Sequence, residues 1–240
     1  MKKIVTLFLF ILFIQNTKAQ FVTIPDANFV TWLQAAVPSA MSGNQMDTTS
    51  LAVTTKTYIK LHNLNIADLT GIQYFTSLDT LECSHNPITT ITALPNSITY
   101  LYIFMNPLTS LSALPSSIEE LYCRNNQLTS LPSLPNSLTH IDCSYNLLTV
   151  IPPLPNSLNS IYCYYNQLAS LPTLPNTITQ IDCHNNNLTN FPNLPNSLVY
   201  LGCRNNQLTS IPILPNLLVN FDCSYNKSPV IIPPSIRNRS

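Results

Sequence analysis

Seven cysteines stand at Cys83, Cys123, Cys143, Cys163, Cys183, Cys203 and Cys223, every gap a multiple of twenty, with Ile103 in the one remaining place. Three residues on, Asn86, Asn106, Asn126, Asn146, Asn166, Asn186, Asn206 and Asn226 keep the same period. A chain whose apolar and Asn phases return every twenty residues builds the same turn repeatedly, and the turns bury their apolar faces on one another as a solenoid. In Leu121-Tyr122-Cys123 the first and third residues share a face, because strand side chains alternate. One short strand per turn, with Leu and Cys inward, therefore stacks into a parallel sheet. The Asn phase falls where the chain bends away, a place for a buried amide to pair backbone groups that the bend leaves open. After it comes L-T-S-L-P-x-L-P-N-S-L, with two prolines per turn. Proline fixes φ and cannot donate, so this return path excludes a long helix and favours extended polyproline-II with a tight turn.

The spelling Leu138-Thr139-His140-Ile141-Asp142-Cys143-Ser144-Tyr145-Asn146-Leu147-Leu148 resembles the leucine-rich repeat, L-x-x-L-x-[L/C]-x-x-N-x-L. The N-x-L-T-S-L-P-x-L-P wording is similar to the repeats of bacterial effector and surface proteins, the YopM and IpaH type among them. The resemblance implies an α/β-class solenoid dominated by short parallel strands: a horseshoe or arc with an extended polyproline-II convex side and a short N-terminal helical cap. Residues 57–226 make about nine turns, beginning with a transitional one in which Leu64 replaces the Asn.

Residues 1–19 read as a signal peptide, with Lys2 and Lys3 before an apolar run from Ile4 to Ile14 and small residues near Ala19. The run is too short for a stable membrane span, and a buried N-terminal helix is the plainer alternative. No Cys follows it to carry a lipid anchor. Residues 20–56 form the cap. Phe29, Trp32, Leu33 and Ala36 lie on one helical face, Asp26 is placed as N-cap and Pro38 as stop. The Ile24-Pro25-Asp26-Ala27-Asn28-Phe29 spelling is similar to caps of secreted Bacteroidetes-type repeat proteins. The calcium loop that often follows those caps is not expected, since residues 41–48 hold a single carboxylate, Asp47. Residues 227–240 form a tail or partial repeat, with neither a polar capping helix nor a sorting domain in its spelling. The ubiquitin-ligase activity known alongside such repeats belongs to a separate C-terminal domain and is not carried over.

Three of the ten basic residues lie within the first 18, leaving seven against ten acidic ones, a net of about −3 with His neutral. Charge so sparse gives no case for nucleic acid or for anionic membrane. The cysteines read as a buried ladder of small hydrophobes. In-register neighbours lie about 4.8 Å apart with parallel Cβ vectors, whereas a disulfide wants Cβ atoms about 3.8 Å apart. No Cys-x-x-Cys pair offers a zinc site.

The outward positions form rows across a concave face. Between Leu and Cys the row reads Glu82, Tyr102, Tyr122, Asp142, Tyr162, Asp182, Gly202, Asp222; after Cys it reads Ser84, Phe104, Arg124, Ser144, Tyr164, His184, Arg204, Ser224. Tyr100, Glu120, His140, Ser160, Gln180, Tyr200 and Asn220 precede Leu. With Met105, Tyr145, Tyr165 and Tyr225 added, nine of eleven tyrosines lie here, more than strand preference for aromatics requires of one surface. The candidate ligand surface is Tyr100, Tyr102, Phe104, Tyr122, Arg124, Asp142, Tyr145, Tyr162, Tyr164, Tyr165, Asp182, His184, Tyr200 and Arg204. His140 with Asp142, and Asp182 with His184, share strand faces, but the two pairs lie about 10 Å apart, too far for one metal. No nucleophile has a base and an orienting third group, and no glycine-rich phosphate loop exists. The expectation is a secreted or cell-surface binding module, not an enzyme, without cofactor or metal. Its ligand is a protein, met in adhesion or contact with a host. Glycan binding by stacking on Tyr faces is the rival reading, and a spacer role without ligand is the third.

Overall fold

The computed structural model describes residues 19–227; the signal-peptide reading and the tail therefore fall outside the described residues, save their innermost positions. Nine parallel strands form one sheet in sequence order. The first is β4 (Tyr58–Lys60), followed by β5 (Thr80–Glu82), β6 (Tyr100–Tyr102), β7 (Glu120–Tyr122) and β8 (His140–Asp142). Then come β9 (Ser160–Tyr162), β10 (Gln180–Asp182), β11 (Tyr200–Gly202) and β12 (Asn220–Asp222). The twenty-residue period sets the register directly: Leu101 pairs with Leu121, Tyr102 with Tyr122, and so on up the stack. The central Leu or Ile of each strand from β4 to β11, and the Leu, Cys or Ile two residues on, are buried. Leu108, Leu128, Leu148, Leu168, Leu188 and Leu208 close the core from the far side. From β5 onward the return segments carry neither helix nor strand beyond a bridge residue at Ser210, as their prolines require, whereas the proline-free segment between β4 and β5 forms a 3₁₀ turn at Ile72–Tyr74.

The bend is held by the Asn phase. Asn146 Nδ2 donates to Cys143 O at 3.1 Å and Ser144 O at 3.2 Å in its own turn and to Cys123 O at 3.1 Å in the turn before. Its Oδ1 accepts from Leu128 N at 3.0 Å, also in the preceding turn. The same pattern recurs from Asn86 to Asn226. In the transitional turn Leu64 N itself donates to Asn86, so the first Asn satisfies the turn that lacks one. A second ladder runs along the return side. The hydroxyls of Ser97, Ser117, Ser137, Ser157, Thr177 and Ser197 each donate to a carbonyl of the preceding turn, as Ser137 does to Ile118 O at 2.6 Å.

The cap holds more than a helix. α1 (Ala27–Ala36) starts at Asp26, whose Oδ1 accepts from Phe29 N at 2.9 Å, and buries Phe29 and Leu33. Pro38 opens a short 3₁₀ turn directly after it. Beside it lies a three-stranded antiparallel sheet of β1 (Phe21–Thr23), β2 (Met41–Ser42) and β3 (Gln45–Asp47), with α2 (Leu51–Thr54) following. Asp26 also joins cap to stack, its Oδ2 accepting from Ala67 N at 2.7 Å. Gly71 has φ of 108°, and a Cβ there would fall 2.4 Å from Ile24 Cδ1, so only glycine fits where cap meets repeat.

All seven cysteines are free, and Cys83 to Cys203 are buried, with burial pushing their thiols far above the ordinary range. Reagent should therefore find few reactive thiols in the folded protein and seven after denaturation without reductant; two or more disulfides by mass would overturn the buried ladder. Cys163→Ser should cost about 1–3 kcal/mol for a buried hydroxyl. Cys183→Ser should cost less, because Cys183 Sγ already reaches Gly202 O at 3.4 Å.

Asn146→Ala would strand backbone groups in two turns and should cost about 1–3 kcal/mol in denaturant unfolding. Asn159→Ala, just before β9, removes only a solvent-exposed bond from the Thr179 hydroxyl and should stay within about 0.5 kcal/mol. Equal losses at both would show that the Asn phase does not hold the turns together.

Candidate functional site

The first and third residues of each strand leave the sheet on its solvent side, so register carries the outward rows into contact. Tyr102 and Tyr122, paired across β6 and β7, stack with centroids 4.7 Å apart and planes at 9°. His140, from the adjacent outward row, carries the contact on at 4.8 Å from Tyr122, and Tyr162 follows 5.4 Å from His140. A second cluster lies just beyond the strand ends. Tyr145 stacks on Tyr165 at 4.5 Å and Tyr164 on His184 at 4.5 Å. The two stacked pairs meet edge to face, Tyr145 with Tyr164 and Tyr165 with His184, each at 5.4 Å. A third, smaller group joins His62, His85 and Phe104, with the Arg124 guanidinium 5.4 Å over the Phe104 ring.

The fourteen sequence-predicted residues all lie along the strands and the bends that follow them, but they do not form one patch. Tyr102, Tyr122 and Tyr162 share the strand row; Tyr145, Tyr164, Tyr165 and His184 share the second cluster. Phe104 and Arg124 form the third. Tyr100 enters no ring pair among the described residues. Tyr200 instead donates to Asp182 Oδ2 at 3.2 Å, and Arg204 lies 5.8 Å over the Tyr225 ring. Asp142 Oδ1 accepts from the Ser144 hydroxyl at 2.5 Å, not from His140, whose Nδ1 is hydrogen-bonded to Ser160 Oγ at 2.5 Å. Asp182 does meet His184, Oδ1 to Nδ1 at 2.5 Å.

Backbone geometry adds a point about the second cluster. Tyr145 and Tyr165 have φ of 51° and 52°, in the left-handed region that Asn125, Asn185 and Asn205 occupy in other turns. Asn tolerates that conformation far better than a bulky ring does. Both tyrosines nonetheless remain nearly half exposed, at 46% and 45%.

Three side chains outside that set of fourteen belong to the surface. His140 sits between the Tyr122 and Tyr162 rings, Glu120 accepts from the Tyr122 hydroxyl at 3.0 Å, and Glu82 accepts from the Tyr58 hydroxyl at 2.7 Å. All three occupy the outward phase, and that placement was the signal for them. Gly202 is where a side chain would intrude, a Cβ falling 2.7 Å from Asp182 Oδ1 and 2.9 Å from the Tyr200 hydroxyl.

Electrostatics follow from this crowding. Burial and then the Asp182 charge push Tyr200 up to about 12. Tyr102, Tyr122 and Tyr162 are raised mainly by burial, with nearby carboxylates adding to it, and Tyr58 mainly by its bond to Glu82. Burial lowers His140, so its ring is neutral near pH 7. Among the described residues no group of three His, Cys, Asp or Glu could hold a metal ion.

No protein-family model and no curated protein matches the sequence. Solved structures do. YopM from Yersinia enterocolitica WA-314 is similar at 31% identity with a TM-score of 0.62, over 68% of this chain and 40% of that one. The leucine-rich-repeat domain of a Shigella effector is similar at 32% identity and a TM-score of 0.58, over 62% of this chain and 71% of that one. The functional domain of InlJ from Listeria monocytogenes, described as including a cysteine ladder, aligns at 28% identity with a TM-score of 0.65. That match covers 87% of this chain and 53% of InlJ's.

The raised tyrosines make an alkaline titration informative. Neutral Tyr58, Tyr102, Tyr122, Tyr162 and Tyr200 are favoured in the folded chain. Their contribution to stability is full below about pH 10 and is lost as pH rises through the raised values. Phenolate absorbance at about pH 10.5 should thus be well below that of the denatured chain. Coincident folded and denatured titrations would show that the tyrosines are neither buried nor set against carboxylates in solution.

Proposed function

The chain belongs to the bacterial leucine-rich-repeat proteins, and on that premise we propose that it is a secreted or cell-surface binding module whose concave, tyrosine-rich sheet face recognises a protein. The observation that supports this most is the run of aromatic contact across adjacent strands, Tyr102 to Tyr162 and Tyr145 to His184, on the solvent side of the sheet. Tyrosine offers large apolar area with a polar tip and little rotamer entropy to lose, which suits a contact surface. The rings are not needed by the core, which the inward phases fill on their own. Similarity to the leucine-rich-repeat domain of a protein described as an effector supports export and a protein partner. Among the described residues no helix is long and apolar enough to cross a membrane. Glycan binding has one feature in its favour, the exposed Tyr145–Tyr165 pair.

The experiment is affinity capture with the protein lacking residues 1–19, partner identification by mass spectrometry, and a glycan array in parallel. Replacing Tyr122, Tyr162 and Tyr164 together by Ser should abolish binding of the captured protein while far-UV circular dichroism stays unchanged. One central aromatic alone is worth about 2 kcal/mol, roughly thirtyfold in affinity. Ser133→Ala with Thr173→Ala on the return side should change nothing. Full binding by the triple variant would remove the sheet face from the account; binding on the array alone would replace the protein ligand by a glycan.

A further inference from the structure

Charge is segregated on the sheet's solvent side. The outward residues of β5 to β12 include five carboxylates, Glu82, Glu120, Asp142, Asp182 and Asp222, and five tyrosines, with no Lys or Arg among them. The two arginines of this surface stand beyond the strand ends, each over an aromatic ring. Among the described residues Lys60–Glu82 and Asp182–His184 are the only ion pairs. Among the described residues Glu120 and Asp142 therefore have no ion-pair partner, and Asp222 has none within ion-pair distance, although the Arg204 charge helps to hold its carboxyl below the ordinary value.

Register places these carboxylates against rings. Tyr122 lies directly across from Asp142, shares its own strand face with Glu120, and donates to Glu120 Oε2. Tyr102 lies across from Glu82, and Tyr162 has Asp142 on one side and Asp182 on the other. Asp142 is oriented by Ser144, whose N–H and hydroxyl both donate to Oδ1, and Asp222 is oriented by Ser224 in the same way. In both, Oδ2 is left without a side-chain bond among the described residues. His140, the ring between Tyr122 and Tyr162, is neutral near pH 7 and so adds no opposing charge.

We propose that this stripe takes an extended, arginine-bearing segment of a protein partner lying across the strands. Tyr122 is itself held between the Tyr102 and His140 rings, so the central subsite is the pair of carboxylates beside that ring, Glu120 and Asp142. The inference rests on the sheet face being a protein-binding surface and names the partner's chemistry. Guanidinium is the side-chain group that meets both carboxylates of such a site. Its planar fork of donors pairs with carboxylates in two-point contact, and its weak hydration suits a surface of aromatic rings. Ammonium satisfies the charge but not the fork. A neutral apolar segment would strip water from Glu120 and Asp142 and leave them unpaired, a costly outcome. An anionic segment is repelled by the same groups.

The test uses fluorescein-labelled Arg-Gly-Arg-Gly-Arg-Gly-Arg, with lysine and citrulline versions of the same peptide, read by anisotropy. The arginine peptide should bind, the lysine peptide more weakly, and the citrulline peptide, which keeps the shape without the charge, not measurably. Glu120→Gln with Asp142→Asn should weaken the arginine peptide by about tenfold or more. Glu119→Gln with Asp79→Asn, which removes equal charge just before the strands, should not. Equal binding of the arginine and citrulline peptides, or equal loss in both double variants, would overturn the proposal. So would absence of binding by the arginine peptide at low ionic strength. The captured partner separates the two readings: sensitivity to the tyrosine triple variant without sensitivity to Glu120→Gln and Asp142→Asn keeps protein binding and discards the arginine site. Insensitivity to both discards both.

Discussion

The interaction on which the rest depends is the amide of the Asn phase. Each strand is only three residues long, too short to fix its own neighbours, and each turn then bends sharply away from the sheet. A bend of that kind buries backbone groups with no strand or helix to pair them, a cost of about 1–3 kcal/mol for each one left open. One Asn side chain meets several of these at once. Because its donors and acceptor reach both its own turn and the one before, it also fixes the offset between turns. Register along the sheet, and with it every outward row, follows from that offset. In a structure whose turns contact only their neighbours, stability accumulates by such nearest-neighbour links.

The cysteines and the return-side hydroxyls work within this frame in different ways. Cys at the second inward position is a small buried hydrophobe, and stacking places the thiols one above another without bringing them to bond. The Ser and Thr hydroxyls complement the Asn ladder from the opposite side, tying each return segment to the carbonyls of the turn before it. Prolines leave the return segment few donors of its own, so the hydroxyl adds a cross-turn bond to the few that the backbone makes there. At Leu217 that phase ends, and the neighbouring Val219 and Ile213 stand exposed at 77% and 76%.

Much of this was legible in the residues alone, for a physical reason. Strand alternation and a fixed period leave a single assignment for Leu121, Tyr122, Cys123 and Asn126, and the nine strands and their register follow from it. The cap shows the limit. Asp26 and the Phe29–Leu33 face identify α1, but β1, β2 and β3 are two or three residues each with no alternation long enough to read. The return-side hydroxyl ladder had a signal, the Ser or Thr at every twentieth position from Ser97 to Ser197, but tight turns select the same residue types, so the spacing does not single out a cross-turn bond. The division of the aromatic surface into separate clusters was not legible, because spacing places Cα atoms and not ring planes. His140 pairs with Ser160 and Asp182 with His184 through rotamer choices that neighbouring side chains impose.

Overall composition conceals the polarity of the surface for a related reason. Charged residues make up only 8% of the chain, which argues against a strongly electrostatic protein when averaged over every position. The solenoid does not average. It assigns the apolar and Asn phases to the interior, where nearly every turn must repeat the same residue type. Variation is left to the outward phases, where backbone geometry asks only for a side chain that suits a strand. Along the row from Glu82 to Asp222 the residue type changes almost turn by turn, among Tyr, Asp, Glu and Gly, while Leu or Ile holds the strand centre beneath it up to β11. Chance variation at solvent positions would scatter cations and anions alike. The concentration of carboxylates and tyrosines within the strands, with the arginines held beyond their ends, is a pattern that folding does not demand. The selective pressure behind it therefore lies with what the surface meets.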